Sequence, residues 1–200
     1  MLKIAVFVSG GGTDLQSNID AAKAKEIDVD IRLVISNRKN AYGLERARNA
    51  GIKAEWIKDE DLIIQRLQEE EVELIVLAGY LAIISEKLIQ LYPNKIMNIH
   101  PSLIPSFCGP GYYGLHVHNA ALNRGVKVSG ATVHFVSEVV DGGPIILQEA
   151  VDISDLKTAE DIQARVLEIE HRILPISVGL YADGKIKVEN ERVEILWEEH

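Results

Sequence analysis

The sequence predicts an α/β fold, an open and mostly parallel twisted sheet with helices on both faces. Apolar, strand-like runs alternate with segments of helical spacing over the first hundred residues. A glycine-rich turn joins the first of these runs to the first helical segment. After residue 126, two apolar, β-branched runs follow one another with no helix between them. The alternation favours parallel strands with crossover helices, and the last observation favours antiparallel strands toward the C-terminus.

In the first half of the chain, each predicted strand is a short apolar run that is followed by turn residues or a helical segment. These runs are residues 3–9, 30–36, 53–57, 72–78 and 95–100. Helices are predicted from Asp14, Gly43 and Glu60, where apolar residues recur every three or four positions.

The second half begins with the runs "KVSGATVHFV" and "GPIILQEAVDI", joined by "SEVVDGG", and predicts an antiparallel pair. A long helix is predicted from about Thr158, because "TAED" has the spacing of a capping box. Its apolar face recurs at Ile162, Val166, Ile169 and Ile173. The tail "KIKVENERVEIL" alternates apolar and polar residues around "ENE" and predicts a terminal hairpin.

Composition bounds the class of protein. A chain of 200 residues with 47% hydrophobic content is expected to form one domain over residues 1–200. Its net charge of −9, without a run of Lys and Arg, argues against sequence-independent nucleic-acid binding. Cys108 is the only cysteine, so an internal disulfide is excluded, and a reducing cytoplasm is expected.

The N-terminal apolar run is too short to span a membrane and lacks the cleavage pattern of a signal peptide. We therefore expect no membrane partner. The chain shows no coiled-coil pattern that would define its oligomeric state, so the sequence is compatible with both a monomer and a homodimer.

The turn "VFVSGGGTDLQSNI" predicts a site for a single phosphate. Glycines let the backbone approach a ligand, and the N-terminus of the following helix attracts an anion. A dinucleotide fingerprint would need glycine three residues after Gly12, where Leu15 stands. The alternative is a plain turn capped by Thr13 or Asp14. The Asp14 carboxylate would compete with phosphate for the same N–H groups.

Asn98 and His100, in "IMNIH", lie at the end of a predicted strand and on the same side of it. An imidazole exchanges protons near neutral pH, and an amide N–H stabilises an oxyanion without titrating. Together they suit acyl or formyl transfer. Asp141, in "VVDGGPI", could present a carboxylate to this pair from a tight turn. For Asp141, the alternative is an ordinary turn without a functional role. For Asn98 and His100, the alternative is a strand end that is capped by polar residues.

The remaining histidines carry weaker signals. His116 and His118 are two residues apart at the start of a predicted helix, but no third ligand supports zinc. His134 is expected to be a strand residue packed beside the site. His171 follows Glu170 in the long helix, where a solvated helix face is the alternative to a site. His200, the last residue, carries no signal.

Five segments, in order and spacing, resemble the phosphoribosylglycinamide formyltransferase family, the folate-dependent enzymes of purine synthesis. They are "SGGGTDLQ", "NIHPSLIP", "GATVHFV", "VDGGPIILQ" and "EHRILP". The resemblance covers essentially the whole chain and implies a Rossmann-like formyltransferase fold. It also implies transfer of a formyl group from 10-formyltetrahydrofolate to the primary amine of glycinamide ribonucleotide, with no metal.

The resemblance implies a catalytic trio of Asn98, His100 and Asp141. His100 would be the general acid and base, Asn98 would stabilise the tetrahedral intermediate, and Asp141 would set the protonation of the imidazole. Glu170 would contact the sugar or glycine portion of the substrate. The phosphate would be held by Gly11, Gly12, Thr13 and Asp14. The folate pocket would be lined by Leu81, Ala82, Ile83, Ile84 and Asn98.

Three features depart from that family. Asp14 stands where it usually has Asn, and Ala82 where it often has Arg. The loop of residues 106–115 is longer than the commonest form. The basic residue that reaches the folate side has no clear counterpart, and Lys58 is a nearby candidate.

Related functions remain as alternatives. Formyltetrahydrofolate hydrolase would use water as the acceptor and carries an additional N-terminal domain in its family. Methionyl-tRNA formyltransferase shares the trio and adds a C-terminal nucleic-acid-binding domain. A non-catalytic phosphate- or folate-binding module would keep the glycine-rich turn while the trio is inert.

Overall fold

The computed structural model describes residues 1–197 and confirms the predicted α/β architecture. His200 lies outside the described residues. Within them, the main sheet has the spatial order β3-β2-β1-β4-β5-β6-β7, with β1 to β5 parallel and β6 and β7 antiparallel to their neighbours. Its strands are β1 (Leu2–Val8), β2 (Val29–Ser36), β3 (Lys53–Trp56), β4 (Leu74–Leu77), β5 (Ile96–His100), β6 (Val128–Phe135) and β7 (Ile145–Asp152).

Helices cover both faces of this sheet. They are α1 (Thr13–Lys23), α2 (Tyr42–Asn49), α3 (Glu60–Glu69), α4 (Glu86–Leu91), α5 (Leu115–Arg124) and α6 (Ala159–Ala182). One core contains buried side chains of α1, α2, α5 and α6, and the other contains those of α3 and α4. Among the described helices, none is both long and apolar enough to cross a membrane.

Strand β1 shows how the apolar pattern places the two cores. Residues 4–8 are fully buried, as expected for a central strand of a parallel sheet. Successive side chains of a strand point to opposite faces. Accordingly, Ile4, Val6 and Val8 enter the core beneath α1 and α6, while Ala5 and Phe7 enter the core beneath α3 and α4.

The start of α6 follows the capping signal of the sequence. The Thr158 side chain accepts a hydrogen bond from the backbone N–H of Asp161, and its hydroxyl donates to the Asp161 carboxylate. At the other end of the chain, β8 (Ile186–Glu189) and β9 (Arg192–Ile195) form the predicted hairpin. Its turn residues, Asn190 and Glu191, both have positive φ, which suits the twist of a two-residue hairpin.

Gly130 gives a prediction about stability, because an alanine there has no room. A Cβ at this position of β6 would lie 2.0 Å from the carbonyl oxygen of Glu149 and 2.7 Å from Leu103 Cδ2. We expect Gly130→Ala to lower the free energy of unfolding by about 3 kcal/mol, measured by urea denaturation. Gly10→Ala is the matched control, since no heavy atom of the described residues, its chain neighbours aside, lies within 4 Å of its Cβ position. Equal losses in the two variants would contradict this packing argument.

Candidate active site

The proposed catalytic residues lie where β5 ends beside β6. Asn98 and His100 are in the last three residues of β5. Strand β6 runs antiparallel to β5 and places His134 directly opposite Asn98. Asp141 lies in the turn that connects β6 to β7 and returns over this strand end. The structure thereby brings together residues that are more than forty positions apart in the chain.

Four side chains form a continuous chain of contacts. Asn98 Nδ2 lies 3.1 Å from His134 Nε2. His134 Nε2 lies 3.6 Å from Asp141 Oδ1, and Asp141 Oδ2 lies 3.5 Å from His100 Nδ1. The side chain of His100 is buried and that of Asp141 nearly so. The predicted trio is therefore assembled, with His134 connecting its amide to its carboxylate.

Backbone carbonyls fix the orientation of both imidazoles. His134 Nδ1 lies 2.9 Å from the Phe135 carbonyl oxygen, which can only accept, so this nitrogen carries a proton. In a neutral ring, His134 Nε2 then accepts from the Asn98 amide. His100 Nε2 likewise donates to the Phe107 carbonyl oxygen at 2.9 Å. The nitrogen of neutral His100 that is free to take up a proton is therefore Nδ1, which faces Asp141.

The electrostatics of the pair favour a neutral imidazole beside a carboxylate. Burial lowers the pKa of His100 below its ordinary value, although the Asp141 charge and the Phe107 carbonyl act in the opposite direction. Burial would raise the pKa of Asp141, but a hydrogen bond from His134, available only when Nε2 of that ring carries a proton, the His100 charge and the Gly109 N–H together hold it below its ordinary value. At neutral pH, His100 can accept a proton and Asp141 can stabilise the imidazolium that results.

The turn that carries Asp141 is tightly constrained. Asp141 has a φ of 54°, a left-handed conformation that is uncommon for a residue other than glycine. Close packing fixes the neighbouring backbone, since a Cβ at Gly143 would lie 1.8 Å from the Phe135 carbonyl oxygen. The Gly109 N–H donates to Asp141 Oδ2 at 2.8 Å. Strained backbone conformations are concentrated at functional sites, where the surrounding structure maintains them.

The long loop of residues 106–115 holds both members of the His–Asp pair. Phe107, whose φ is 49°, supplies the carbonyl that binds His100. Gly109, two residues later, supplies the N–H that binds Asp141. Cys108 between them is partly exposed, and its thiol donates to the Pro105 carbonyl oxygen at 3.3 Å.

The glycine-rich turn leaves the N-terminus of α1 without a side-chain cap. Its N-cap is Gly12, in the left-handed region with a φ of 70°, so the alternative of a Thr13 or Asp14 cap is wrong. A Cβ at Gly12 would lie 2.6 Å from Gly43 Cα, because the turn packs closely on α2. The first N–H groups of α1 remain available to an anion.

Asp14 and Glu170 occupy the same buried region beside this turn. Asp14 lies in the first turn of α1 and Glu170 on α6, which packs against α1. Burial raises the pKa of both carboxyls, and the Asp14 charge raises that of Glu170 further. The alternative of a solvated helix face is therefore wrong for Glu170, which is only 6% exposed.

The segment after β4 lines a cavity of about 270 Å³. Ala82, Ile83 and Ile84 contribute to its wall, whereas Leu81 does not. Among the residues that the structure describes, Asn98, His100 and Asp141 do not line this cavity. The remaining lining residues are Phe7, Asn37, Lys58, Glu60, Ile63, Tyr80 and Leu88. Lys58 is thus placed on the same cavity as the segment 82–84.

Helix α5 places His116 and His118, the two histidines with the spacing of a metal pair, in different environments. His116 is exposed, while His118 is buried and its Nδ1 has no hydrogen-bond partner within the part of the chain that the structure describes. Burial and the nearby charge of His100 lower the pKa of His118 to about 4. Across residues 1–197, no group of three or more His, Cys, Asp or Glu side chains is arranged to hold a metal ion.

Several contacts of the site carry no signal in the sequence. His134 is predicted only as a packing residue beside the site, whereas in the structure its side chain contacts both Asn98 and Asp141. The Phe107 carbonyl and Gly109 N–H are backbone groups, which no residue type signals. The opposition of Asn98 and His134 depends on the register of an antiparallel pair, which needs the β5 to β6 alignment to be known.

A mostly parallel sheet with an imidazole, a carboxylate and a neutral amide at one strand end, and an uncapped helix N-terminus at the same edge, is typical of α/β enzymes of the acyl-transfer class. The comparison with protein families agrees with this class, since the model described as formyl transferase matches residues 2–178. The chain belongs to the formyl transferase family.

Individual relatives are similar over most of this chain. A phosphoribosylglycinamide formyltransferase from Escherichia coli K12 is 39% identical over 197 residues, which cover 94% of this chain and 90% of that protein. The crystal structure of glycinamide ribonucleotide transformylase 1 from Symbiobacterium toebii has a TM-score of 0.91 at 43% identity, covering 98% of this chain and 94% of that one. A formyltetrahydrofolate deformylase from Pseudomonas syringae has a TM-score of 0.88 at 25% identity, covering 97% and 65%.

Proposed function

We propose that the protein transfers the formyl group of 10-formyltetrahydrofolate to the primary amine of 5-phosphoribosylglycinamide. The observation that carries this proposal is the buried His100 to Asp141 pair beside the Asn98 amide, at the end of β5. The pair supplies a proton acceptor, and the amide supplies a neutral donor. The similarity to phosphoribosylglycinamide formyltransferases supports the choice of acceptor.

The reaction forms one bond and breaks another. The amine nitrogen of the acceptor attacks the formyl carbon, and the carbonyl oxygen gains negative charge. His100 Nδ1 takes the proton that the attacking nitrogen loses, while Asp141, 3.5 Å away, stabilises the imidazolium. The bond from the formyl carbon to N10 of the folate then breaks, and the proton passes to the departing nitrogen.

Asn98 is proposed to stabilise the tetrahedral intermediate. One N–H of its amide is directed to His134 Nε2, which fixes the plane of the group. The second N–H then points in a defined direction and can donate to the oxyanion. A preorganised neutral donor of this kind contributes about 3 kcal/mol to an acyl-transfer transition state.

The phosphate of the acceptor is proposed to bind at Gly11, Gly12, Thr13 and Asp14. Its support is the uncapped N-terminus of α1, which offers free N–H groups and a positive dipole end. Glu170, buried beside this turn, is proposed to contact the sugar or glycine portion of the same molecule.

The folate donor is proposed to use the segment 81–84 and Asn98. The adjoining cavity of about 270 Å³ is smaller than the ~300–1,000 Å³ that a drug-sized ligand fills, so it fits one end of the molecule. Its wall combines apolar side chains with Asn37, Lys58 and Glu60, which suits a flat ring with polar edges or a carboxylate tail. No metal is assigned a role in this proposal.

The test is the release of tetrahydrofolate from 10-formyltetrahydrofolate by purified protein, with and without glycinamide ribonucleotide. We expect release only when the ribonucleotide is present, together with one equivalent of formylated product by mass spectrometry. Equal release without the ribonucleotide would replace the transferase with the hydrolase that the deformylase relative suggests. Ligand binding without release under either condition would leave a binding module.

A further inference from the structure

Two acids are buried next to the proposed phosphate site. Asp14 is 8% exposed and Glu170 is 6% exposed. Asp14 Oδ1 is fully buried and, across residues 1–197, has no hydrogen-bond partner. A buried carboxylate without a donor is costly, and a second one beside it makes full ionisation of both unfavourable.

The surrounding groups do not neutralise this charge. From α6, His171 Nε2 lies 3.7 Å from Asp14 Oδ1, beyond hydrogen-bond distance. Burial and the Arg46 charge lower the pKa of His171, so it is neutral at pH 7.

The basic side chain from α2 is engaged elsewhere. The Arg46 guanidinium donates to the Gly11 carbonyl oxygen at 2.7 Å and to Gln16 Oε1 at 3.3 Å. Asp20, the other acid of α1, is exposed and accepts from Gln16. Asp14 and Glu170 therefore need a proton rather than a counterion.

We propose that Asp14 carries a proton near neutral pH, and that a phosphate-bearing substrate binds well only while Asp14 holds it. This inference rests on the proposed function, because it concerns the same phosphate site. A protonated Asp14 can donate a hydrogen bond to phosphate. An ionised Asp14 repels it.

The burial of Asp14 sets the pH range of this effect. Burial raises the pKa of its carboxyl to about 7, while that of Glu170 lies well above its ordinary value. A phosphate monoester loses its second proton near pH 6, so it is a dianion over the range in which Asp14 ionises. Bound phosphate favours the protonated carboxyl, and binding therefore takes up a proton.

The experiment compares the natural chain with Asp14→Asn by calorimetric titration of glycinamide ribonucleotide between pH 6 and pH 8.5. For the natural chain we expect the Kd to rise by up to about tenfold per pH unit above pH 7, the limit for one linked proton. Proton uptake follows from the heats in buffers of different ionisation enthalpy. Asp14→Asn should show a nearly flat Kd above pH 7. Asp20→Asn, an exposed acid on the same helix, should behave like the natural chain.

Equal pH slopes in the natural chain and Asp14→Asn would overturn the proposal. Ribose 5-phosphate serves as a second probe, because it presents the phosphate without the reacting amine. If the transfer assay fails but ribose 5-phosphate still binds with the Asp14-dependent slope, the proposed function fails and this inference stands. If the transfer assay succeeds but the slope does not depend on Asp14, the proposed function stands and this inference fails.

Thermal unfolding provides an independent readout of the buried acid. The raised pKa of Asp14 means that the folded state keeps a proton which the unfolded state loses above about pH 4, so the natural chain loses stability from pH 4 to pH 7. Asp14→Asn should therefore gain in Tm over the natural chain as pH rises to 7. A gain that is independent of pH, or a variant that does not fold, would also overturn the proposal.

Discussion

Replacement of His100 by alanine is expected to lower the turnover of formyl transfer by about 10²–10⁴-fold. The variant loses the proton acceptor at Nδ1 and the imidazolium that Asp141 stabilises. Binding of glycinamide ribonucleotide should change little, because the proposed phosphate contacts lie at the N-terminus of α1. The measurement is single-turnover formyl transfer, with calorimetry for binding. His116→Ala, an exposed histidine on α5, is the matched control.

The role of His100 also predicts the direction in which the rate of formyl transfer by the natural chain changes with pH. His100 must be neutral to accept a proton, so the rate should rise as pH increases through its pKa, which burial places below the ordinary value of 6.5. The contribution of His100 should thus be constant at neutral pH. Turnover of His100→Ala within a few-fold of the natural chain would remove the imidazole from the mechanism.

Replacement of Asp141 by asparagine should lower turnover by about 10²–10⁴-fold, with a smaller change in KM. Asparagine keeps the shape of the side chain and can still accept from the Gly109 N–H. However, it removes the charge that stabilises protonated His100, and its NH₂ group can occupy His100 Nδ1 by donating to it. Both effects act on proton transfer rather than on ligand binding.

A shift of the acidic limb distinguishes this role from a structural one. The Asp141 charge raises the pKa of His100. In Asp141→Asn, the acidic limb of the pH–rate profile of the remaining activity should therefore move to lower pH. Glu138→Gln, an exposed acid of the same turn, is the matched control and should retain the natural rate and profile. Two outcomes would leave Asp141 with only a structural role in the turn. One is an unchanged kcat, and the other is a reduced kcat with an acidic limb of the pH–rate profile that does not shift.

The sequence predicted the sheet well because its signals are local. The buried run of β1 and the cap at Thr158 each need only a few neighbouring residues to be recognised. Helix α4 was missed, since six residues are too few for a helical period to show. The hairpin β8 to β9 was found from its alternation around a polar turn.

The candidate site was predictable in residue type but not in arrangement. Asn98 and His100 share a strand end, so their proximity follows from the sequence. The position of Asp141 depends on how the turn between β6 and β7 folds back over the strand end. The contacts of His134 depend on the register of β6 against β5. The isolation of Asp14 from a cation depends on how α1, α2 and α6 pack, which no local pattern encodes.

The loop of residues 106–115 has a consequence for the cooperativity of the site. Its Phe107 carbonyl orients His100 and its Gly109 N–H orients Asp141, from positions two residues apart. A displacement of this short stretch breaks both hydrogen bonds together. The orientations of the proton acceptor and of its partner therefore depend on the position of the same three residues of backbone.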